Sequence, residues 1–159
     1  MNILLENSKH IKYYGNMNDV FNVLDGVCEE YDWYISDIET NCAPPWGVEV
    51  REMRVGGAEL RKLITENEIQ FIWAVFSAIP KGVVPLIDES PIADGNSKFW
   101  EGSPKPQLNG AVFEIVCWDS SLFLLISVSD IVGQKFLSKY TDAVDLDAYN
   151  ELTRKSTGR

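Results

Sequence analysis

Apolar residues recur along this chain with two periods, and the switches between them outline the fold. Residues 2–5, with three consecutive apolar residues after Asn2, predict a short first strand. Val20, Leu24, Val27, Cys28 and Tyr31 then fall at helical spacing and predict a helix over residues 18–30, with Asn18 as its N-cap. Residues 33–39 are rich in aromatic and β-branched side chains and read as a strand. The following NCAPPWG, residues 41–47, is a loop, because two prolines exclude a central strand. Residues 48–55 read as a further strand. Gly56-Gly57 opens a second helix that ends near Asn67, with Leu60, Leu63 and Ile64 as its apolar stripe. Residues 69–79, IQFIWAVFSAI, are apolar on both alternating faces. That pattern fits a central strand covered on both sides; a buried helix fits the same periodicity.

The pattern breaks at residues 80–109, which hold five of the seven prolines. So long an irregular stretch is uncommon inside a compact domain and reads as a lid, a binding loop or a mobile segment. Residues 111–118 and 122–128 are joined by Asp119-Ser120-Ser121 and predict an antiparallel hairpin. Ser129 caps a helix that runs to about Tyr140, and the tail from about residue 153 is expected to fray. The whole chain, residues 1–159, reads as a single α+β domain with about three helices and a mixed or mostly antiparallel sheet.

Composition narrows the chemistry. The chain is 45% hydrophobic and 24% charged, which is ordinary for a globular domain. Its net charge of -10 opposes binding to nucleic acid or to anionic membrane surfaces. The longest apolar run, residues 122–128, is far shorter than the ~20 residues a membrane helix needs. His10 is the single histidine, so a His-rich zinc site and a Cys–His nucleophile pair have little to draw on. Cys28, Cys42 and Cys117 show no C-x-x-C spacing and read as reduced thiols in a cytosolic compartment. The glycine-rich phosphate and dinucleotide motifs and the serine-hydrolase motif are missing, and no cofactor or metal is expected. Asp142, Asp145 and Asp147 do not meet the EF-hand spacing and read as a solvated acidic group. Glu114 lies inside an apolar strand. It reads as that strand's solvent-facing side, and as the carboxyl most open to an upward pKa shift if buried.

The charge is unevenly placed. Between Tyr13 and Val50 there is no Lys or Arg, while eight acids fall there, so this stretch carries -8 of the net -10. Asp25 and Glu29 are four apart on the predicted helix, and Glu29 and Glu30 sit at its C-terminal end, where the dipole disfavours anions. Asp25, Glu29, Glu30, Asp32, Asp37 and Glu39 therefore form a candidate acidic face for a basic partner, with Trp33 and Trp46 as candidate anchors. In this basic-free stretch and its aromatics the chain resembles the small acidic immunity proteins of bacterial polymorphic-toxin and contact-dependent inhibition systems. The resemblance is one of overall character. It implies a cytoplasmic inhibitor that neutralises a basic toxin or enzyme by covering its working surface.

The rival expectation is a small-molecule-binding protein or enzyme, with a pocket under residues 80–109 lined by Trp73, Phe99 and Trp100. A third is self-assembly through an exposed sheet edge.

Overall fold

In the computed structural model, which describes residues 1–158, the backbone is organised by one antiparallel sheet of seven strands. The strands are β1 (Ile3–Glu6), β2 (Tyr31–Thr40), β3 (Met53–Gly56), β4 (Phe71–Pro80), β5 (Phe113–Trp118), β6 (Leu122–Ile126) and β7 (Val144–Asp145). Their order is β3-β2-β4-β5-β6-β1-β7. Four helices complete the domain: α1 (Met17–Phe21), α2 (Gly57–Glu66), α3 (Asp130–Lys139) and α4 (Leu146–Ser156). The result is a single α+β domain.

Alternation along the strands explains the layering. On the first face, Ile3, Leu5, Trp33, Ile35, Ala74, Phe76, Ala78, Phe113, Ile115, Phe123 and Leu125 share one core with Met17, Phe21, Leu60, Ile64 and Phe136 of α1, α2 and α3. The second face presents Leu4, Val75, Val116, Leu124 and Ile126, and these pack on Ala93, Phe99 and Leu146. Further along, Tyr34 and Ile79 pack on Leu108. Helices thus cover one face, while the irregular chain between β4 and β5 covers the other together with α4. This is why β4 is apolar on both sides, and the strand reading of that segment holds. The expected hairpin also forms: Glu114 pairs with Ile126 and Trp118 with Leu122, and Asp119 and Ser120 take left-handed backbone in the turn.

Three expectations are corrected. The predicted helix over 18–30 is one five-residue helix, α1, capped by Asn16 and followed by turns and a 3-10 turn at Cys28–Glu30. Gly26, at φ 79°, takes a left-handed conformation that an α-helix does not hold. The burial stripe survives this break: Val20, Leu24, Val27 and Cys28 are all buried. Asn18 is a tie instead of a cap, donating from Nδ2 to the Ile64 carbonyl of α2 at 3.0 Å. Second, the strand expected over 48–55 contracts to β3. Third, the tail is helical as α4 to Ser156. Asp145 caps that helix by accepting from the Ala148 N–H at 2.8 Å, and Leu146 and Asn150 form its buried stripe.

Trp33 is a core residue, with 0% of its surface exposed. It meets Phe21, Tyr31 and Phe113 edge-on, with ring centroids 5.3–6.3 Å apart, and its Nε1 donates to the Cys28 carbonyl at 2.9 Å. Trp33→Ala should therefore lower the unfolding free energy by about 3–5 kcal/mol, read from chemical denaturation.

Candidate functional site

The segment between β4 and β5 has only one short element of its own, a 3-10 turn at Ser97–Trp100. Its backbone groups must find partners elsewhere, and side chains of the sheet supply many of them. Asp32 accepts from the Gly82 N–H at 3.1 Å, and Arg54 donates to the Val83 carbonyl at 2.9 Å. Ser36 donates to the Pro91 carbonyl at 2.8 Å. Asp37 sits at a bulge in β2 with φ 52° and accepts from both the Ala93 and Asp94 N–H groups at 2.8 Å. Asn150 of α4 donates to the Phe99 and Gly102 carbonyls, each at 3.0 Å.

Glu114 is the deepest of these ties. Its side chain is fully buried on the second face of β5. Oε1 accepts from the Ser77 hydroxyl and the Leu108 N–H, and Oε2 from the Gln107 N–H, each at 2.9 Å. Burial pushes its carboxyl above the ordinary value, while the three donors act in the opposite direction. The expectation of a solvent-facing Glu114 is thus overturned, because the segment that it holds covers it. The structure gives it the role of a tether.

Gly82–Val83 and Ser90 are two clamped feet. At the second foot the Tyr34 hydroxyl donates to Glu52 Oε2 at 2.7 Å and lies 2.8 Å from Ser90 Oγ. Ser90 also donates to Glu52. The hydrogen bonds from Ser90 and Tyr34 hold the Glu52 carboxyl below its ordinary value. Between the feet the chain arches outward with its apolar side chains in water. Val84 is 76% exposed and Leu86 74%, and Val83 and Ile87 are also exposed. Asp88 and Glu89 follow on the second limb.

The sequence-predicted acids divide around this arch. Glu29, Glu30 and Asp32 lie at the start of β2, beside the Tyr31–Pro80 pair from which the arch departs. Asp25 is exposed in the turn before them. Asp37 and Glu39 lie toward the other end of β2; nine residues of extended strand separate Glu30 from Glu39, about 30 Å. The six acids do not form one patch. Half of them are also partly neutralised: Glu29 faces Arg61 at 4.0 Å, Asp32 faces Arg54 at 3.4 Å and Asp37 faces Arg51 at 3.7 Å. Trp33 is withdrawn into the core. Trp46 is half-buried and stacks on Phe71 at 6.2 Å between centroids, so it offers part of its surface at most. The residues missed were Val83, Val84, Leu86 and Ile87. Their signal was an apolar run between prolines in a stretch without helical or strand period.

The other candidates resolve as structure. Cys28 and Cys117 are buried free thiols, and burial pushes the Cys28 thiol up to about 12 and the Cys117 thiol higher still. Cys42 and His10 are exposed. Asp142 accepts from the Ser8 hydroxyl, and Asp147 from Asn2 Nδ2 and Ser103 Oγ. Among the described residues no cluster of three or more His, Cys, Asp or Glu is placed to hold a metal, and no helix is long and apolar enough to cross a membrane. The edge strands β3 and β7 have four and two residues, short templates for strand pairing between copies. Trp73 and Trp100 meet Trp118 edge-on, at 5.1 and 5.2 Å between centroids, at the edge of the second core. The three expected lining residues divide: Phe99 belongs to the lining of one cleft of the 80–109 segment, Trp100 to that of another between the segment and α4, and Trp73 to neither.

No family model, curated protein or solved structure matches this chain.

The Glu114 tether carries a pH prediction. Its folded-state pKa is raised, so the folded state holds this proton more tightly than the unfolded chain. The Glu114 contribution to stability then falls as pH rises from the ordinary carboxyl value through the folded one. The difference between wild-type and Glu114→Gln unfolding free energies should change over that window and flatten above it, measured by denaturation at each pH. Glu114→Leu should be the more damaging change, because it leaves three donors without an acceptor at about 1–3 kcal/mol for each buried one.

Proposed function

We propose that this protein binds a basic protein partner as an immunity-type inhibitor in the bacterial cytoplasm, and that the arch over residues 83–89 is the centre of its binding face. The carrying observation is the display of Val83, Val84, Leu86 and Ile87 on a loop clamped at both feet. Soluble domains keep contiguous apolar patches small, and larger ones mark interaction sites. A loop without clamps would lose conformational freedom on binding; clamped feet lower that cost.

Magnitudes divide the labour. Burying a Val or Leu side chain contributes about 1.5–3 kcal/mol, whereas an exposed ion pair contributes about 0.2–1 kcal/mol. The arch would therefore supply most of the affinity. Glu30, Glu52, Asp88 and Glu89, outside the ion pairs of the described residues, would supply the rim charge that speeds association with a basic surface and disfavours acidic ones. Glu29 and Asp32 would add less, because Arg61 and Arg54 face them. Apolar centre and polar rim is the common anatomy of a protein interface. The inhibition itself would be occlusion: the arch and its rim cover the partner's substrate-binding surface. Three free cysteines agree with a reducing compartment.

A photo-cross-linker at residue 86 identifies the partner covalently, and the purified pair then gives the rates. The expected partner is basic. Leu86→Ser should weaken the complex at least tenfold, mainly through faster dissociation. Glu29→Lys with Glu30→Lys should slow association, and more so at low salt. A partner whose affinity is indifferent to both variants would overturn the reading.

A further inference from the structure

The same segment also builds a cleft of about 570 Å³, between residues 89–92 on one side, 104–107 on the other and the Asn96–Phe99 turn behind. Its walls are joined across the opening. Gln107 Oε1 accepts from the Ile92 N–H at 3.1 Å and from Asn96 Nδ2 at 3.0 Å, and Gln107 Nε2 donates to the Ile92 carbonyl at 2.9 Å. Asn96 Nδ2 also donates to the Ile92 carbonyl, and Asn96 Oδ1 accepts from the Lys98 N–H. From below, Glu114 holds the backbone of Gln107 and Leu108. The cleft is thus braced without a ligand, as small-molecule sites usually are.

These bonds occupy the amides of the lining. Ser90 is likewise committed to Glu52 and Tyr34. The polar groups left for a ligand are the ammonium groups of Lys98 and Lys105 and the carboxylate of Glu89. Among the described residues neither lysine takes part in an ion pair. Two lysines against one glutamate give the lining a positive balance in a chain of net charge -10. The neighbouring cleft, lined by Leu86, Asp88, Glu89, Gln107, Leu108 and Asn109, is acidic. Pro91, Ile92, Phe99, Pro104 and Pro106 make the remaining walls apolar.

We infer that this cleft binds a small organic anion with one charged head and an apolar body, the head between Lys98 and Lys105 and the body against Ile92 and Pro106, the accessible apolar side chains of the lining. Glu89 on the opposite wall repels a second anionic group, which selects for a single charged end. The cleft shares Glu89 and Ser90 with the arch, but Val84 and Leu86 do not line it and the lysines do not belong to the arch, so variants at Leu86 and at the lysines test the two surfaces separately.

The test is an NMR titration of the full chain with phenylacetate and phenyl phosphate, with phenylacetamide as the neutral control. The two anions distinguish a carboxylate head from a phosphate head. The expected result is saturable shifts at the Ile92, Lys98, Phe99, Lys105 and Gln107 amides for at least one anion, and at least tenfold weaker binding of the amide. Lys98→Ala with Lys105→Ala should weaken the anion at least tenfold while leaving the melting temperature unchanged, because both side chains are exposed. The single variant Ile92→Ser removes the exposed apolar wall and should weaken the two aromatic anions without abolishing them. Shifts that do not saturate, that spread over lysines outside the cleft, or that are equal for phenylacetamide would overturn the inference. So would double-lysine variants that bind like wild type, or failure of both anions to bind.

Discussion

The structure depends on one constraint, the pairing of backbone polar groups in a long segment without regular secondary structure. The chain between β4 and β5 lies over the second face of the sheet, where an unpaired buried donor costs about 1–3 kcal/mol. A helix or strand would satisfy these groups internally. Here Asp32, Ser36 and Asp37 of β2 and Glu114 of β5 reach out of the sheet and bond the segment's backbone, while Tyr34 bonds the Ser90 side chain and Ser77 of β4 steadies Glu114. The irregular segment is in effect a third layer, bonded to the sheet through side chains. Its apolar residues Ala93, Phe99 and Leu108 then complete the two smaller cores.

Both candidate surfaces follow from that arrangement. A segment nailed at intervals must bow between its fixing points. The bow between Val83 and Ser90 shows apolar side chains to solvent, and the bend between Ile92 and Gln107 encloses a cleft. The two differ in sign. The arch has acids on both flanks and suits a basic macromolecular surface, while the cleft gathers two lysines and suits a small anion. Because Glu114 fixes Gln107, and Gln107 fixes Ile92, the two cleft walls rest on one buried carboxylate, while the second foot of the arch rests on Glu52 and Tyr34. The helical layer on the opposite face takes no part in either surface. It supplies the main core, and this accounts for the burial of Trp33 and for the two inert thiols.

Periodicity made the sheet legible. The central strand, the β5–β6 hairpin and the capped helix after Ser129 are local patterns in which each residue's neighbours along the chain decide its conformation. The helix over 18–30 ends at Phe21, and Gly26 turns the chain further on, although the buried positions keep their spacing. Helix α4 went unseen because Asp142, Asp145 and Asp147 read together as an acidic group, when one of them is an N-cap and another a tie to Asn2 and Ser103. The acidic face was legible only as a charge total. The total does not say which acids point to water and which accept hydrogen bonds from the loop that covers them.

By itself the sequence determined the α+β class, the strands and helices with a clear period, the burial of the cysteines at Cys28 and Cys117, and the acidic balance. These follow from side-chain chemistry and from spacing along the chain, both local quantities. Only the tertiary structure decided that Asp32, Asp37 and Glu114 are tethers, that Trp33 is core, that Leu86 and Val84 stand in solvent and that Lys98 and Lys105 line one cleft. The reason is physical: the hydrogen bonds that create these environments span from a few residues to more than fifty, and they form only where the folded sheet brings an irregular segment within reach of its side chains.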